Sequence, residues 1–372
     1  MSPVTRSGGP TCIEGFCGAG GMSLGLHRAG FDVRLAFDNN PVAISTYRRN
    51  LGVHGKVMDA WQVTGRELLD AAGLDEVDLF AGGPPCQGFS KQRRGAHLLD
   101  DPRNRLVTEF ARLVEELKPK AFIFENVEIV GQKRGRELVG ELVERLDGYE
   151  THRFLVCAAD FGLAQTRGRF LLLGFRNDMA ADIPVLEKSR KRVTIRDAIG
   201  DLPAPPADYR EHPTIANHIK CKITKENEIR FSHVKPGGGW QDIPWKLRLP
   251  CHQVADVRSG GWPDVYGRLE WNGVCPTLTA GFDSFTRGRY GHPEQNRSLT
   301  LREGARLQGF PDEFRFMGNR GDIRLQIGNA VPPPLAQAAG EAVQRALGLR
   351  AAPIKGSVIA SQNSRAQLSL AV

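Results

Sequence analysis

The chain has 372 residues, 41% hydrophobic and 25% charged, enough to bury the core of one large domain and a smaller one. No run reaches the roughly 18 consecutive apolar residues of a membrane span, and the amino terminus lacks the apolar stretch of a secretory signal. A net charge of +8 suits an anionic partner, and seven cysteines without a CxxC pair speak for a reducing cytoplasm and against a disulfide framework.

The first half alternates between strand and helix patterns in the manner of an α/β domain. A strand near 11–16 runs through a glycine loop into a helix near 21–29, and a second strand near 32–37 ends at Phe37-Asp38-Asn39-Asn40. Pro41 is placed to open a helix through Arg48. Strands near 77–80 and 121–125 flank a helix near 103–117, whose Leu106, Phe110, Leu113, Val114 and Leu117 recur at 3.6-residue spacing. Phe154–Cys157 and Phe170–Leu173 read as strands around a loop whose Arg167 and Arg169, two residues apart, point to the same face of an extended segment. The pattern predicts an α/β fold with a doubly wound, mostly parallel sheet and reactive loops at the carboxyl ends of the strands. Near Pro184 the rhythm breaks into proline- and glycine-punctuated chain, predicting a smaller, loop-rich domain. Helical signal returns at 300–308, and Pro332–Leu347 reads as a closing helix.

The Gly82-Gly83-Pro84-Pro85-Cys86-Gln87-Gly88-Phe89-Ser90 stretch singles out one cysteine. The two prolines stiffen the backbone ahead of Cys86, and the flanking glycines permit close approach of another molecule. A small buried hydrophobe would not require that setting, so Cys86 reads as a nucleophile. Gly18-x-Gly20 forms the tight turn of a nucleotide-binding βα loop, with Ser23 at the third position where a nicotinamide dinucleotide fingerprint has glycine. Asp38, at the end of the second strand, is suited to ribose hydroxyls. Residues 176–298 hold 19 lysines and arginines against 15 acidic residues, together with Trp240, Trp245, Trp262 and Trp271. His218, Cys221, His233, Cys251 and His252 lie in the same block at spacings that fit no common zinc pattern, so no metal is expected.

Six segments in fixed order resemble the motifs of the DNA (cytosine-5)-methyltransferases, in particular the bacterial restriction–modification type. They are Ile13-Glu14-Gly15-Phe16-Cys17-Gly18-Ala19-Gly20-Gly21, the PPCQGFS loop, Phe124-Glu125-Asn126-Val127, Gln165-Thr166-Arg167-Gly168-Arg169, Arg302–Pro311 and Gln326–Pro333. The resemblance spans about 11–177 and 299–345. It implies a Rossmann-like S-adenosylmethionine-dependent fold with a catalytic domain at 1–184, a target recognition domain at 185–298 and a return segment at 299–347. The tail at 348–372 is expected to be disordered.

The implied reaction is methyl transfer from S-adenosyl-L-methionine to carbon 5 of cytosine in double-stranded DNA. Carbon 5 is a poor nucleophile, so a thiolate, Cys86, would first add to carbon 6 of a base extruded from the helix. The resemblance assigns Glu125 to ring nitrogen 3, Arg167 to the cytosine carbonyl oxygen, and Arg169 to support of the cysteine loop and phosphates. It assigns Phe16, Gly18, Ala19, Gly20, Gly21, Asp38, Asn39, Asp59, Pro84, Asn329 and Val331 to the cofactor. Many relatives carry Glu and then a bulky aromatic where this chain has Asp38-Asn39, so adenine stacking must come from elsewhere. Ser90, Arg258, Trp262, Thr277, Arg287 and Arg289 are the candidate DNA contacts, with guanine edges and phosphates both open as arginine targets. The base that removes the carbon-5 proton is left open. A monomer suffices to act on each strand in turn, and a cognate endonuclease acting separately is the expected partner.

Three other readings fit less well. A tRNA cytosine methyltransferase usually lacks the Gly88-Phe89-Ser90 ending and so large a basic block. A silent homologue would have lost the cysteine or the glutamate. A nicotinamide oxidoreductase is left with one imperfect glycine loop.

Overall fold

Strand β1 (Thr11–Gly15) forms where four of five successive residues are buried, the continuous apolar pattern of a strand covered on both faces. In the computed structural model, which describes residues 8–85, 105–254 and 263–349, it is a central strand of a seven-stranded sheet. The others are β2 (Asp32–Asp38), β3 (Gly55–Val57), β4 (Leu79–Gly82), β5 (Ala121–Val127), β6 (Tyr149–Cys157) and β8 (Gly168–Arg176). Their order is β3-β2-β1-β4-β5-β8-β6. The β3–β2, β2–β1, β1–β4 and β4–β5 pairs are parallel, whereas β8 runs antiparallel to both β5 and β6. The expected mostly parallel α/β sheet is thus present. Parallel pairing sends the loops after β1 to β5 to one edge, and the order reverses between β1 and β4, where open α/β sheets bind ligands.

The helix expected near 103–117 buries most of the stripe that its spacing predicted, with Leu106 only partly buried. In α4 (Arg105–Leu117), Val107, Phe110, Ala111, Leu113, Val114 and Leu117 are buried. Phe110 packs against Phe80, Phe122 and Phe124 with ring centroids 5.1, 6.0 and 5.3 Å away. Helix α3 (Gly65–Ala72) starts on a reciprocal cap, in which Thr64 accepts from the Glu67 amide and Glu67 accepts from Thr64. Helix α1 (Gly21–Ala29) meets α11 (Pro333–Ala346), the closing helix, at Gly25. A β-carbon on Gly25 would lie 2.3 Å from the Pro333 carbonyl oxygen and 2.6 Å from Ala336 Cβ. α2 (Pro41–Asn50) opens on the expected proline, with Asn40 accepting from the Val42 and Ala43 amides.

The chain divides into two compact units. The first comprises 1–157, 168–188 and 330–372, and the second 158–167 and 189–329. Regular structure in the second is sparse: short helices, and a two-stranded sheet of β7 (Gln165–Thr166) with β9 (Cys275–Pro276). Its own core gathers Phe231, Val234, Trp240, Ile243, Tyr266 and Phe285. The buried Arg268 lies over the Phe231 ring at 4.1 Å and donates to the carbonyls of Phe231, Val234 and His292. The buried guanidinium thus gives the Val234 and His292 carbonyls a donor and the Phe231 carbonyl a second one beside the Val234 amide.

Candidate active site

Within the first unit, the ends of β4, β5 and β8 bring three motif segments together. Glu125 and Asn126 are buried near the end of β5, and Arg169 is paired in register with Val127. Arg169 Nε lies 2.8 Å from Glu125 Oε1, with both side chains 9% exposed. Burial pulls the Arg169 pKa down, and Glu125 opposes that shift. The carboxylate therefore holds a buried cation that would otherwise be costly. Asn126 Nδ2 donates to the Pro84 carbonyl at 3.0 Å, while its Oδ1 accepts from the Val127 amide at 2.9 Å. A β-carbon on Gly83 would stand 3.0 Å from Glu125 Oε2 and 3.6 Å from Val331 Cγ2. Glycine at 83 thus gives the carboxylate room against the strand that leads to Pro84-Pro85. Cys86 and Ser90 lie outside the described residues.

Arg167 and Arg169 do not act as a pair on one extended face. The chain leaves the two-stranded sheet at Thr166 and enters the seven-stranded sheet at Gly168, which breaks the alternation. Arg167 is 2% exposed and belongs to the second unit, donating to the Leu278 carbonyl at 2.9 Å and the Gly328 carbonyl at 2.8 Å. Beside it lies a buried amide network that the sequence reading missed. Gln165 Nε2 donates to the Leu307 carbonyl and to Gln308 Oε1, its Oε1 accepts from the Leu278 amide, and Gln308 Nε2 donates to the Ile327 carbonyl. These bonds tie together segments 165–167, 277–278, 307–308 and 326–328. The signal was a glutamine in each of two motifs, QTRGR and RLQGF.

The loops after β1, β2 and β3 carry most of the candidate cofactor residues, all of these in the first unit, whereas Pro84 follows β4, Val331 precedes α11 and Asn329 belongs to the second unit. Phe16 has φ 57, Gly18 φ 51 and Gly20 φ 97, a left-handed run in which only Phe16 carries a side chain. The Gly18 amide donates to Asp38 Oδ2 at 2.9 Å, and the Met58 amide to the Asp38 carbonyl at 3.1 Å. The three loops are therefore stitched side by side. A β-carbon on Gly18 would meet nothing within 4 Å, so space is open above the loop. A nucleoside with a charged tail fits such an edge, with Asp38 and Asp59 able to accept from hydroxyl and amino groups.

Beneath the glycine loop runs a polar chain of Glu14, Ser23, Tyr47 and His54 that the sequence reading did not anticipate. Ser23 Oγ donates to Glu14 Oε2, Ser23 Oγ and Tyr47 Oη are 2.9 Å apart, and Tyr47 Oη is 2.9 Å from His54 Nε2. Because serine has one proton to give, tyrosine donates to it and His54 Nε2–H donates to tyrosine. Ser23 occupies the third fingerprint position, and its hydroxyl faces the buried carboxyl of β1. Burial pushes Glu14 up to about 8, with the Ser23 hydrogen bond opposing and Asp38 adding to the rise. Burial also lowers His54 to about 4, which keeps its ring neutral.

A raised carboxyl stabilises the fold fully below its unfolded pKa, and this contribution is lost as pH rises through the folded value. Between about pH 4.5 and 8 the unfolded chain has Glu14 ionised while the fold keeps it protonated, costing about 1.4 kcal/mol per pH unit. Glu14→Gln removes the titration. Urea unfolding from pH 5 to 8 should show the variant gaining on the parent as pH rises, and a constant difference between the two would contradict the assignment.

The candidate DNA contacts divide in two. Arg287 is exposed. Arg289 is committed within its unit, pairing with Asp264 at 3.2 Å and donating to the Gly237 and Gly238 carbonyls. Thr277 Oγ1 donates to the Thr166 carbonyl at 2.9 Å. Asn329 ends α10 (Arg320–Asn329) in an exposed position. Arg258 and Trp262 lie outside the described residues.

A family model described as C-5 cytosine-specific DNA methylase matches residues 11–345. Type II methylase M.HgiDII of Herpetosiphon aurantiacus is 33% identical over 342 residues, covering 90% of this chain and 95% of its own. Type II methyltransferase M1.HphI of Haemophilus parahaemolyticus is 38% identical, covering 90% and 86%. Among solved structures, an Escherichia coli prophage protein described as a DNA modification methyltransferase superposes with a TM-score of 0.70 at 27% identity, covering 91% of this chain and 99% of that one. With a Rossmann-like sheet, a glycine loop at its binding edge and a glutamate–arginine pair where three motif segments meet, this chain belongs to the C-5 cytosine-specific DNA methylases.

Proposed function

We propose that this enzyme methylates carbon 5 of one cytosine within a specific duplex DNA sequence, acting on an extruded base through a covalent adduct with Cys86. The carrying observation is the Glu125–Arg169 pair beside Gly83-Pro84, because Asn126 fixes the backbone two residues ahead of the cysteine. S-adenosylmethionine, when bound, supplies an electrophilic methyl group. The Cys86 thiolate adds to carbon 6 while Glu125 hydrogen-bonds or protonates ring nitrogen 3, leaving the electron pair on carbon 5. Once the methyl group has moved and S-adenosylhomocysteine is left as the thioether, the carbon-5 proton leaves to a base, the carbon–sulfur bond breaks to restore the thiolate, and any proton given to ring nitrogen 3 returns to Glu125.

Arg169, held against Glu125, is the cation we assign to the cytosine edge. Arg167 is assigned to bracing the segments around it through the Leu278 and Gly328 carbonyls. Phe16, Gly18, Ala19, Gly20, Gly21, Asp38, Asn39, Asp59, Pro84, Asn329 and Val331 remain the proposed cofactor contacts. Residues 185–298 are proposed to choose the DNA target, with exposed Arg287 among the groups that reach the DNA. A separate endonuclease of a Type II system is the proposed biological partner.

The test uses duplex DNA carrying 5-fluorocytosine at the target. Fluorine cannot leave carbon 5 as a cation, so methyl transfer should leave enzyme and DNA joined. The adduct should survive denaturing electrophoresis, require S-adenosylmethionine and disappear in Cys86→Ser. Trapping on RNA and on no duplex would transfer the substrate class to RNA. Measurable methylation with no trapping on either would overturn the covalent route.

A further inference from the structure

Trp61 is the one exposed large aromatic side chain among the described residues of the first unit, with 48% of its surface open. A half-exposed indole on a floppy loop would mean little, but this loop is pinned. The Trp61 amide donates to Asp59 Oδ1 at 3.1 Å, and the Asp59 carbonyl accepts from Gln62 and Val63. From α4, Arg112 Nη2 donates to the carbonyls of Ala60 and Val63 at 2.8 and 2.9 Å. The same guanidinium is held by Glu109 and Glu116, and Glu116 Oε2 accepts from the Gly65 amide. Ala60 and Val63 on either side are buried. The fold thus fixes the backbone of 59–65 from behind and leaves one indole outside.

Its place on the sheet gives that indole a ligand. It follows β3, whose loop is stitched to the end of β2 by the Met58–Asp38 bond, and β2 is stitched to the glycine loop by Gly18–Asp38. Going outward from the glycine loop, the edge therefore offers backbone amides, then the Asp38 carboxylate, then Asp59 and Trp61. Adenine is a flat, weakly polar ring with an amino group, and it needs a π-face beside an acceptor. Asn39, next to Asp38, has no ring to offer. We propose that Trp61 forms the aromatic wall of the adenine subsite, stacking on the base while Asp59 faces its amino group. The proposal rests on S-adenosylmethionine being the cofactor, as argued above.

The test is binding of S-adenosylhomocysteine to the full chain, measured by calorimetry and by tryptophan fluorescence. The other tryptophans, Trp240, Trp245, Trp262 and Trp271, all fall in the second unit, so Trp61→Phe isolates the signal. Wild type should bind with a saturable fluorescence change. Trp61→Phe should keep affinity within a few-fold but lose most of that change, and Trp61→Ala should weaken binding about tenfold. Unchanged urea midpoints should confirm that both variants fold. Equal affinity in wild type and Trp61→Ala would overturn the proposal, as would weakened DNA binding with cofactor binding intact. If wild type itself gives no heat of binding, the cofactor reading fails first, and the two failures are distinct.

Discussion

Cys86→Ser is expected to lower methyl transfer to DNA by about four orders of magnitude or more, with binding of DNA and S-adenosylhomocysteine essentially unchanged. A serine hydroxyl is almost wholly protonated near neutrality and adds poorly to a pyrimidine ring, whereas a thiolate adds well. Glu125→Gln should act differently. The amide is nearly isosteric and keeps a hydrogen-bond acceptor near Arg169, but it cannot give ring nitrogen 3 a proton. Loss of a positioned acid costs about 10²- to 10⁴-fold, so this variant should fall below wild type yet above Cys86→Ser. It should also leave Arg169 with a weaker counter-ion, lowering the unfolding midpoint modestly. Single-turnover transfer of a tritiated methyl group separates these cases from binding defects. Wild-type turnover by Cys86→Ser would remove the nucleophile from the mechanism altogether.

The largest loss of stability is expected from Arg302→Met. The Arg302 side chain is fully buried in the second unit, and burial lowers its pKa to about 10. Its Nε donates to the Ala216 carbonyl at 2.8 Å, Nη1 to Pro311 at 2.9 Å and Nη2 to Phe314 at 2.7 Å. Asn217, held at φ 63, closes the same knot by donating to the Phe316 carbonyl and accepting from the Phe316 amide. Methionine fills much of the volume but leaves the Ala216 and Phe314 carbonyls without donors, each costing about 1–3 kcal/mol, and leaves Pro311 only the Phe314 amide at 3.1 Å. A loss of about 4 kcal/mol or more in the unfolding of this unit follows. Urea unfolding followed by the tryptophan emission of that unit measures it, and a loss under about 1 kcal/mol would show that water replaces the guanidinium without cost.

Much of the sheet was legible because β1, β4, β5 and β8 are continuous apolar runs and α4 carries one apolar stripe, whereas the three-residue edge strand β3 has no such pattern. Phe110, Leu113, Val114 and Leu117 of α4 could be assigned to the core from spacing alone, whereas Leu106 is only partly buried, and Pro41 opens a helix where it was expected. The antiparallel insertion of β8 between β5 and β6 was not legible, since strand order is decided by pairing partners and leaves no trace in a strand's own pattern. Among the motif residues, Glu125 and Asn126 could be placed at a strand end, but their partners Arg169 and the Pro84 carbonyl could not. The QTRGR arginines misled for a local reason. Alternation predicts one shared face, and a change of sheet at Arg167 cancels it. The chain from Glu14 to His54 escaped notice because its four members lie on separate segments, and nothing in any one segment points to the others until the fold joins them.

The contact between α1 and α11 sets the order of synthesis against the order of folding. Gly25 in α1 has room only for the Pro333 carbonyl and Ala336 of α11, and Gly340 of α11 fits against Leu26 and Ala29. These partners are some three hundred residues apart in the sequence, so α1 leaves the ribosome early and waits for nearly the whole chain before its outer face is covered. Until then the nascent sheet exposes apolar surface on that side, an opening for aggregation or for a chaperone. Ribosome stalling or premature termination just after residue 333 would leave every motif translated and the first unit still without α11.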